Sequence, residues 1–303
     1  MLSDSVLILT GAGRGIGRAV AIELAGEGAT VVVNDLGTSV DGEGTAADPA
    51  TETAAAIEEA GGTATAHVGD VTDPTYTESL LADTVDAHGR IDGVANFAGI
   101  VDPAPIHEMS VDQWERVLDV HLRGHFCLLK SAARQWIDTE TDRQRSFLCV
   151  SSQSSLGHSA MANYAAAKAG ILGLMRTAAN ELVEHGVRVN ALFPSATTRI
   201  SDALTDDAYR DPVPPERVAP MVAYLLSDAA ADVTGCTLRA GGEEIGFVSD
   251  PEMSRLAYRE GGWTTATVAE QFPDSITAGI DLDRSATLVS ERYGLDADGM
   301  GST

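Results

Sequence analysis

Short apolar runs and longer amphipathic stretches alternate along residues 1–245. Val6 to Leu9 is continuously apolar and too short for a helix, so it predicts a strand. Arg18 to Glu27 has apolar residues at helical spacing and predicts a helix. Further strands are predicted at Thr30–Asn34, Thr63–Val68, Ile91–Ala95, Ser146–Val150, Val187–Phe193 and Thr237–Ala240. Helices are predicted over Ala50–Ala60 (stopped by Gly61-Gly62), Thr75–His88, Val111–Ile137, the alanine-rich run from Ala160, and Arg217–Leu226. Within Val111–Ile137, Trp114, Val117, Leu118, Leu122 and Phe126 fall at core spacing, and His121 interrupts them.

Strand–helix alternation of this kind specifies an α/β fold, a doubly wound parallel sheet with right-handed crossovers and helices on both faces. Residues 1–245 read as one domain containing both nucleotide and substrate sites. Residues 246–303 read as a C-terminal extension packed on that core, with Leu256, Tyr258, Trp263, Val268 and Phe272 as apolar anchors. Gly261-Gly262 and Pro273 read as breaks in it. Two stretches lack periodicity. Leu36 to Pro49 is a polar, acidic insertion, either functional or merely solvated, and Thr197 to Asp211 is a polar, mobile segment whose charge-rich part, Asp202 to Asp211, reads as a solvated, movable lid.

Charge narrows the partners. There are 45 acidic residues against 20 basic ones, a formal net charge of -25. Only two lysines occur, Lys130 and Lys168. That balance excludes nucleic acid and anionic membrane as partners. Hydrophobic residues make up 44% of the chain, which argues against disorder and for a folded protein of a salt-rich cytoplasm. Cys127, Cys149 and Cys236 are scattered in apolar surroundings and read as reduced core residues. The seven histidines show no metal spacing.

Candidate chemistry falls at the carboxyl ends of the predicted strands. Thr10-Gly11-Ala12-Gly13-Arg14-Gly15-Ile16-Gly17 lies between a strand and a helix, the context in which a backbone turn and a helix N-terminus bind pyrophosphate. Asp35, ending the second strand, can accept hydrogen bonds from ribose hydroxyls and would repel a 2′-phosphate, which favours NAD. Arg14 leaves NADP open. Asp70-Val71 follows the third strand, within reach of adenine, and Asn96-Phe97-Ala98-Gly99 follows the fourth. Tyr164 and Lys168 lie four apart in the alanine-rich run, on one helix face. A phenol is a poor base at neutrality, and a fixed ammonium beside it favours the phenolate.

Thr10-Gly-x-x-x-Gly-x-Gly17, Asp70, Asn96-x-Ala-Gly99, Ser151, Tyr164-x-x-x-Lys168 and Pro194 stand in the order seen in short-chain dehydrogenases/reductases, which the chain resembles over residues 3–245. Asn34-Asp35-Leu36-Gly37 with its insertion, Val120-His121-Leu122-Arg123-Gly124 and Pro194-Ser-Ala-Thr-Thr-Arg199 are similar to a subgroup, the (3R)-hydroxyacyl-CoA dehydrogenase domains of type 2 multifunctional enzymes. The resemblance implies a Rossmann-type fold and an NAD(P)-dependent oxidoreductase acting on a secondary alcohol or ketone, best a 3-hydroxyacyl thioester. Tyr164 is then the acid/base, Lys168 its activator and a cofactor ligand, and Ser151 the donor to the substrate oxygen. His121 stands where most of the family has an Asn whose backbone holds a relay water. Gly11, Arg14, Gly15, Ile16, Gly17, Asp35, Asp70, Val71, Asn96, Ala98, Gly99, Tyr164, Lys168, Pro194 and Thr197 would bind the cofactor. A homodimer or homotetramer built on the Tyr164 helix is implied as well. Gln153 and His158, between Ser151 and Tyr164, are candidate substrate contacts. A 3-oxoacyl reductase, a dehydrogenase of small cyclic or branched alcohols, and a nucleotide-sensing protein without turnover are the alternatives. An intact Ser151, Tyr164 and Lys168 argues against the last.

Overall fold

The computed structural model describes residues 1–139, 141–204, 212–251, 253, 255–276 and 278. Strands β1 (Val6–Thr10), β2 (Thr30–Asn34), β3 (Thr63–His67), β4 (Gly93–Asn96), β5 (Arg145–Val150), β6 (Val187–Ser195), β7 (Thr237–Gly241) and β8 (Glu244–Val248) form one sheet in the order β3-β2-β1-β4-β5-β6-β7-β8. Every neighbouring pair is parallel except β7 and β8. Chain order reverses at β1, between β2 and β4. That topological switch opens a crevice outside the carboxyl ends of the strands.

Helices α1 (Gly15–Gly26), α2 (Asp48–Glu59), α3 (Pro74–His88), α4 (Val111–Leu118), α5 (Gly124–Ile137), α6 (Ala162–Leu182), α7 (Arg199–Leu204) and α8 (Ala219–Leu226) connect the strands. The sheet is apolar on both faces, which is why its strands read as unbroken apolar runs. On one face Leu7, Leu9, Val31 and Val33 pack with Val20, Leu24, Val222 and Leu225. On the other Ile8, Val32, Val94 and Phe147 pack with Leu128, Trp136, Ile171 and Met175. Among the described residues no helix is long and apolar enough to cross a membrane.

Two features depart from the sequence reading, the π turn and β8, and a third, the insertion, gains detail. The helix expected over Val111–Ile137 is interrupted by a π turn at Asp119–Arg123. The extra residue rotates the helix face, so Trp114 and Phe126 are exposed while Val117, His121 and Leu128 are buried. The insertion after Asp35 is ordered: Ala46 N–H bonds Leu36 O (3.0 Å), and Val101 N–H bonds Val40 O (3.0 Å). Finally, β8 was not anticipated. It is a hairpin return from β7 across Gly242-Glu243, where Gly242 adopts a φ of 58° open to glycine, and it carries the first compact unit to Val248. The second unit, Ser249–Thr303, contains helix α9 (Thr265–Ser275), whose N-terminus is capped by the Thr264 hydroxyl and which includes Pro273. Of the expected lid, residues 205–211 lie outside the described residues.

Candidate active site

The glycine turn after β1 is closely packed. A Cβ at Gly11 would lie 2.4 Å from Ala98 N, and one at Gly17 would lie 2.2 Å from Gly11 O, so the backbone there admits no side chain. Beyond the turn, the first N–H groups of α1 have no side-chain cap and no acidic residue beside them. An open helix start of this kind attracts an anion. At the end of β2, Asp35 accepts from Gly13 N–H (2.9 Å) and from Gly37 N–H (2.6 Å), which holds its carboxylate at the turn. Arg14 donates to Thr38 O (3.1 Å) and so joins the turn to the insertion. Arg199 sits close enough to Arg14 and Asp35 to feel both charges.

On the neighbouring strand, Asn96 accepts from the Thr10 hydroxyl (2.7 Å) and from Ala98 N–H (3.0 Å), leaving its buried Nδ2 without a partner. The uncapped helix start, the side-chain-free turn and this orphan donor suit a dinucleotide with an anionic centre. The remaining cofactor candidates are less free. Asp70 accepts from Thr72 N–H (2.8 Å), Val71 packs beside Gly124, and Ile16 packs on the core. Gly99 faces the His121 ring, Pro194 pairs with Ala240, and Thr197 is bonded to Val213 through both its N–H and its hydroxyl oxygen (2.8 Å each).

The reactive pair lies on α6. The chain enters this helix through Ala160, whose φ of 58° is rare for a residue with a Cβ. Buried Asn163 then fixes the first turn, donating to Asp102 O (3.0 Å) and Gln113 O (3.1 Å) and accepting from Tyr164 N–H (2.8 Å). Lys168 is 3% exposed, donates from Nζ to Val150 O (2.7 Å), and lies 5.4 Å from the centre of the Tyr164 ring. Burial dominates both groups. It pushes the Tyr164 phenol up to about 12, opposed by a hydrogen bond from Ser152, and it pushes Lys168 down to about 7. Burial therefore works against the charge of the ammonium expected to lower the phenol as well as against the phenolate.

The serines differ from the sequence reading. Thirteen residues before Tyr164, Ser151 is 1% exposed and its hydroxyl donates to Lys168 O (2.7 Å), into the fold. The serine whose side chain lowers the Tyr164 phenol is Ser152, and its oxygen accepts from Ser154 N–H (3.1 Å). Counting back from the tyrosine points to Ser151. Side-chain alternation along β5 was the signal that could have pointed to its neighbour.

His121 is 1% exposed and its ring meets Tyr164 in a T-shape at 5.0 Å. Its Nε2 lies 2.8 Å from Ile100 O and 3.2 Å from Ile100 N, and its Nδ1 has no partner. Burial, with Lys168 nearby, holds its pKa well below the usual histidine range. His125, passed over in the sequence, is fully buried beside it. Of the substrate candidates, Gln153 accepts from Arg239 (2.7 Å). His158 is half-buried with Nδ1 unpartnered, and burial lowers its pKa. Among the described residues no group of three His, Cys, Asp or Glu side chains is arranged to hold a metal ion.

A family model described as Enoyl-(Acyl carrier protein) reductase matches residues 11–242. The chain is 38% identical over 308 residues to hydroxyacyl-CoA dehydrogenase ChsB1 of Mycobacterium tuberculosis, covering 93% of this chain and 94% of that protein. It is 36% identical over 231 residues to peroxisomal multifunctional enzyme type 2 of Mus musculus, covering 76% of this chain and 31% of that enzyme. Among solved structures, a short chain dehydrogenase from Mycobacterium avium superposes with a TM-score of 0.80 at 34% identity, over 91% of this chain and 95% of that one.

Proposed function

The chain belongs to the short-chain dehydrogenase/reductase family, and from that premise we propose that it is an NAD-dependent oxidoreductase interconverting a 3-hydroxyacyl and a 3-oxoacyl thioester. The observation that carries this reading is the Tyr164–Lys168 pair on α6, the Lys168 Nζ lying 5.4 Å from the centre of the Tyr164 ring. In reduction, Tyr164 gives its proton to the carbonyl oxygen, and in oxidation it takes the proton of the hydroxyl. Ser152 donates a hydrogen bond to the same oxygen, taking the role that the sequence reading gave to Ser151. A phenol pushed up to about 12 already holds the proton that reduction needs. For oxidation, the Ser152 hydroxyl and a charged Lys168 lower the cost of losing it. When bound, the nicotinamide dinucleotide supplies the hydride acceptor or donor. The glycine turn, the open start of α1, Asp35 and Asn96 would hold it, and the carboxylate of Asp35 favours NAD over NADP.

Hydroxyacyl-CoA in the name of one relative and acyl carrier protein in the family description support a thioester substrate. A relative named 3-oxoacyl-[acyl-carrier-protein] reductase supports carrier-bound 3-oxoacyl reduction as the alternative. We read the protein as a cytoplasmic homodimer or homotetramer adapted to salt, consistent with its net charge of -25. A turnover screen of 3-hydroxyacyl-CoA, 3-oxoacyl-CoA, cyclic and steroid alcohols with NAD and NADP tests the reading. Turnover of acyl thioesters with NAD is expected. Activity confined to cyclic or steroid alcohols would overturn the substrate assignment.

A further inference from the structure

Strand β5 outlasts its neighbour β4. Their pairing ends at Asn96 and Cys149, after which Phe97 turns away to donate to Thr10 O (2.9 Å). The next residue, Val150, therefore has a peptide edge with no strand beside it, because Ser151 N–H already points the other way, to Leu192 O (2.9 Å). Both exposed groups are taken up by side chains. Val150 N–H donates to His125 Nε2 (3.1 Å), and Val150 C=O accepts from Lys168 Nζ (2.7 Å).

The ring of His125 has no freedom of role. A backbone N–H can only donate, so Nε2 must be the bare acceptor and Nδ1 carries the proton. Nδ1 then donates to His121 O (2.6 Å), within the π turn. We propose that His125 is a positioning residue for Lys168: it closes the open edge of β5, orients the Val150 carbonyl that holds the ammonium, and ties it to the π turn whose His121 ring meets Tyr164. This rests on the function proposed above for Tyr164 and Lys168. A neutral ring is required, since protonating Nε2 would orphan Val150 N–H. Burial holds the group neutral, pushing it down to about 3. The titratable groups facing this cluster are Lys168 from α6, His121 from the π turn and Cys149 from β5.

Two variants separate the ends of the link. In His125→Gln the side-chain carbonyl reaches the Nε2 position and can still accept from Val150 N–H. In His125→Asn the amide reaches only the Nδ1 position and keeps the bond to His121 O. Without the Val150 bond, Lys168 stands less firmly beside Tyr164, and the phenol is harder to ionise. His125→Asn and His125→Ala should shift the pH profile of kcat/KM for oxidation upward by about one unit, about tenfold in rate at neutral pH. His125→Gln should restore the unmodified profile. A purely structural histidine would change melting temperature in all three and leave the profile in place. An unshifted profile in His125→Asn, or a shift in His125→Gln as large, would overturn the proposal. Should the variants fail to fold, nitrogen NMR of the unmodified enzyme decides. A neutral Nδ1–H tautomer for His125 throughout the pH range of activity is expected. An Nε2–H tautomer, or protonation near the ordinary histidine value, would overturn it. Loss of turnover on every substrate in the unmodified protein would count against the proposed function instead.

Discussion

Replacing each of two adjacent serines by alanine should produce opposite kinds of damage. In the proposed mechanism the Ser152 hydroxyl, which lowers the Tyr164 phenol's pKa, is the donor to the substrate oxygen on which charge develops. Removing one such donor costs roughly 10²–10³ in kcat, about 2.7–4 kcal/mol. Its oxygen otherwise accepts only from Ser154 N–H at the start of a short turn, so the stability cost should stay near 1 kcal/mol. The Ser151 hydroxyl is buried on Lys168 O at 2.7 Å and does not reach the phenol. Losing that bond costs about 1–3 kcal/mol, at roughly 2–4 °C of melting temperature per kcal/mol in a chain of this size. Turnover should fall less than about tenfold, under 1.4 kcal/mol of activation energy. Steady-state reduction of a 3-oxoacyl-CoA, beside thermal melting of both variants, reads the two quantities separately. The geometric assignment fails if Ser151→Ala loses turnover a hundredfold while Ser152→Ala keeps most of it.

Three further outcomes follow from the same geometry. With Asp35 held by Gly13 and Gly37, the enzyme should prefer NAD by at least about tenfold in kcat/KM, about 1.4 kcal/mol, and Asp35→Ala should narrow that gap; equal use of NADP by the unmodified enzyme would refute this. His121 and His125 are buried neutral with pKa values below 6.5, so the unfolded chain binds more protons than the native one as pH falls through that value. The contribution of these two histidines is therefore complete above about pH 6.5 and declines below it, by about 2 kcal/mol per histidine at pH 5; urea titrations between about pH 6.5 and 5 that show no loss would contradict it. With a net charge of -25, melting temperature and activity should rise with KCl into the molar range, where the screening length is about 3 Å; a salt-independent melting curve would remove the halophilic reading.

The sheet and its helices were legible because the central strands β1, β2, β4 and β5 bury both faces and the crossovers repeat one pattern. So was the Tyr164–Lys168 pair, since two residues four apart on a helix share a face wherever the helix lies. What escaped depends on one-residue offsets or on backbone partners. The π turn at Asp119–Arg123 adds a single residue, which moved Trp114 and Phe126 from the expected core to the surface without any local signal. The choice between Ser151 and Ser152 depends on which way β5 points its last side chains. His125 was invisible because both its partners, His121 O and Val150 N–H, are main-chain groups. For β8 a signal did exist, the Gly241-Gly242 pair between two apolar stretches. The Tyr164 phenol misled through magnitude: the sequence offers a cation beside it, but only the fold reveals how strongly burial opposes both charges.

The central claim is that Tyr164 exchanges the proton while a separate surface holds the dinucleotide. Its most direct test is Tyr164→Phe, with NAD affinity measured by calorimetry beside turnover of a 3-hydroxyacyl-CoA. The variant should bind NAD as the unmodified enzyme does and lose about 10²–10⁴ in kcat, the usual worth of a positioned acid/base. Retention of more than about one part in twenty of kcat, far above that range, would contradict the account.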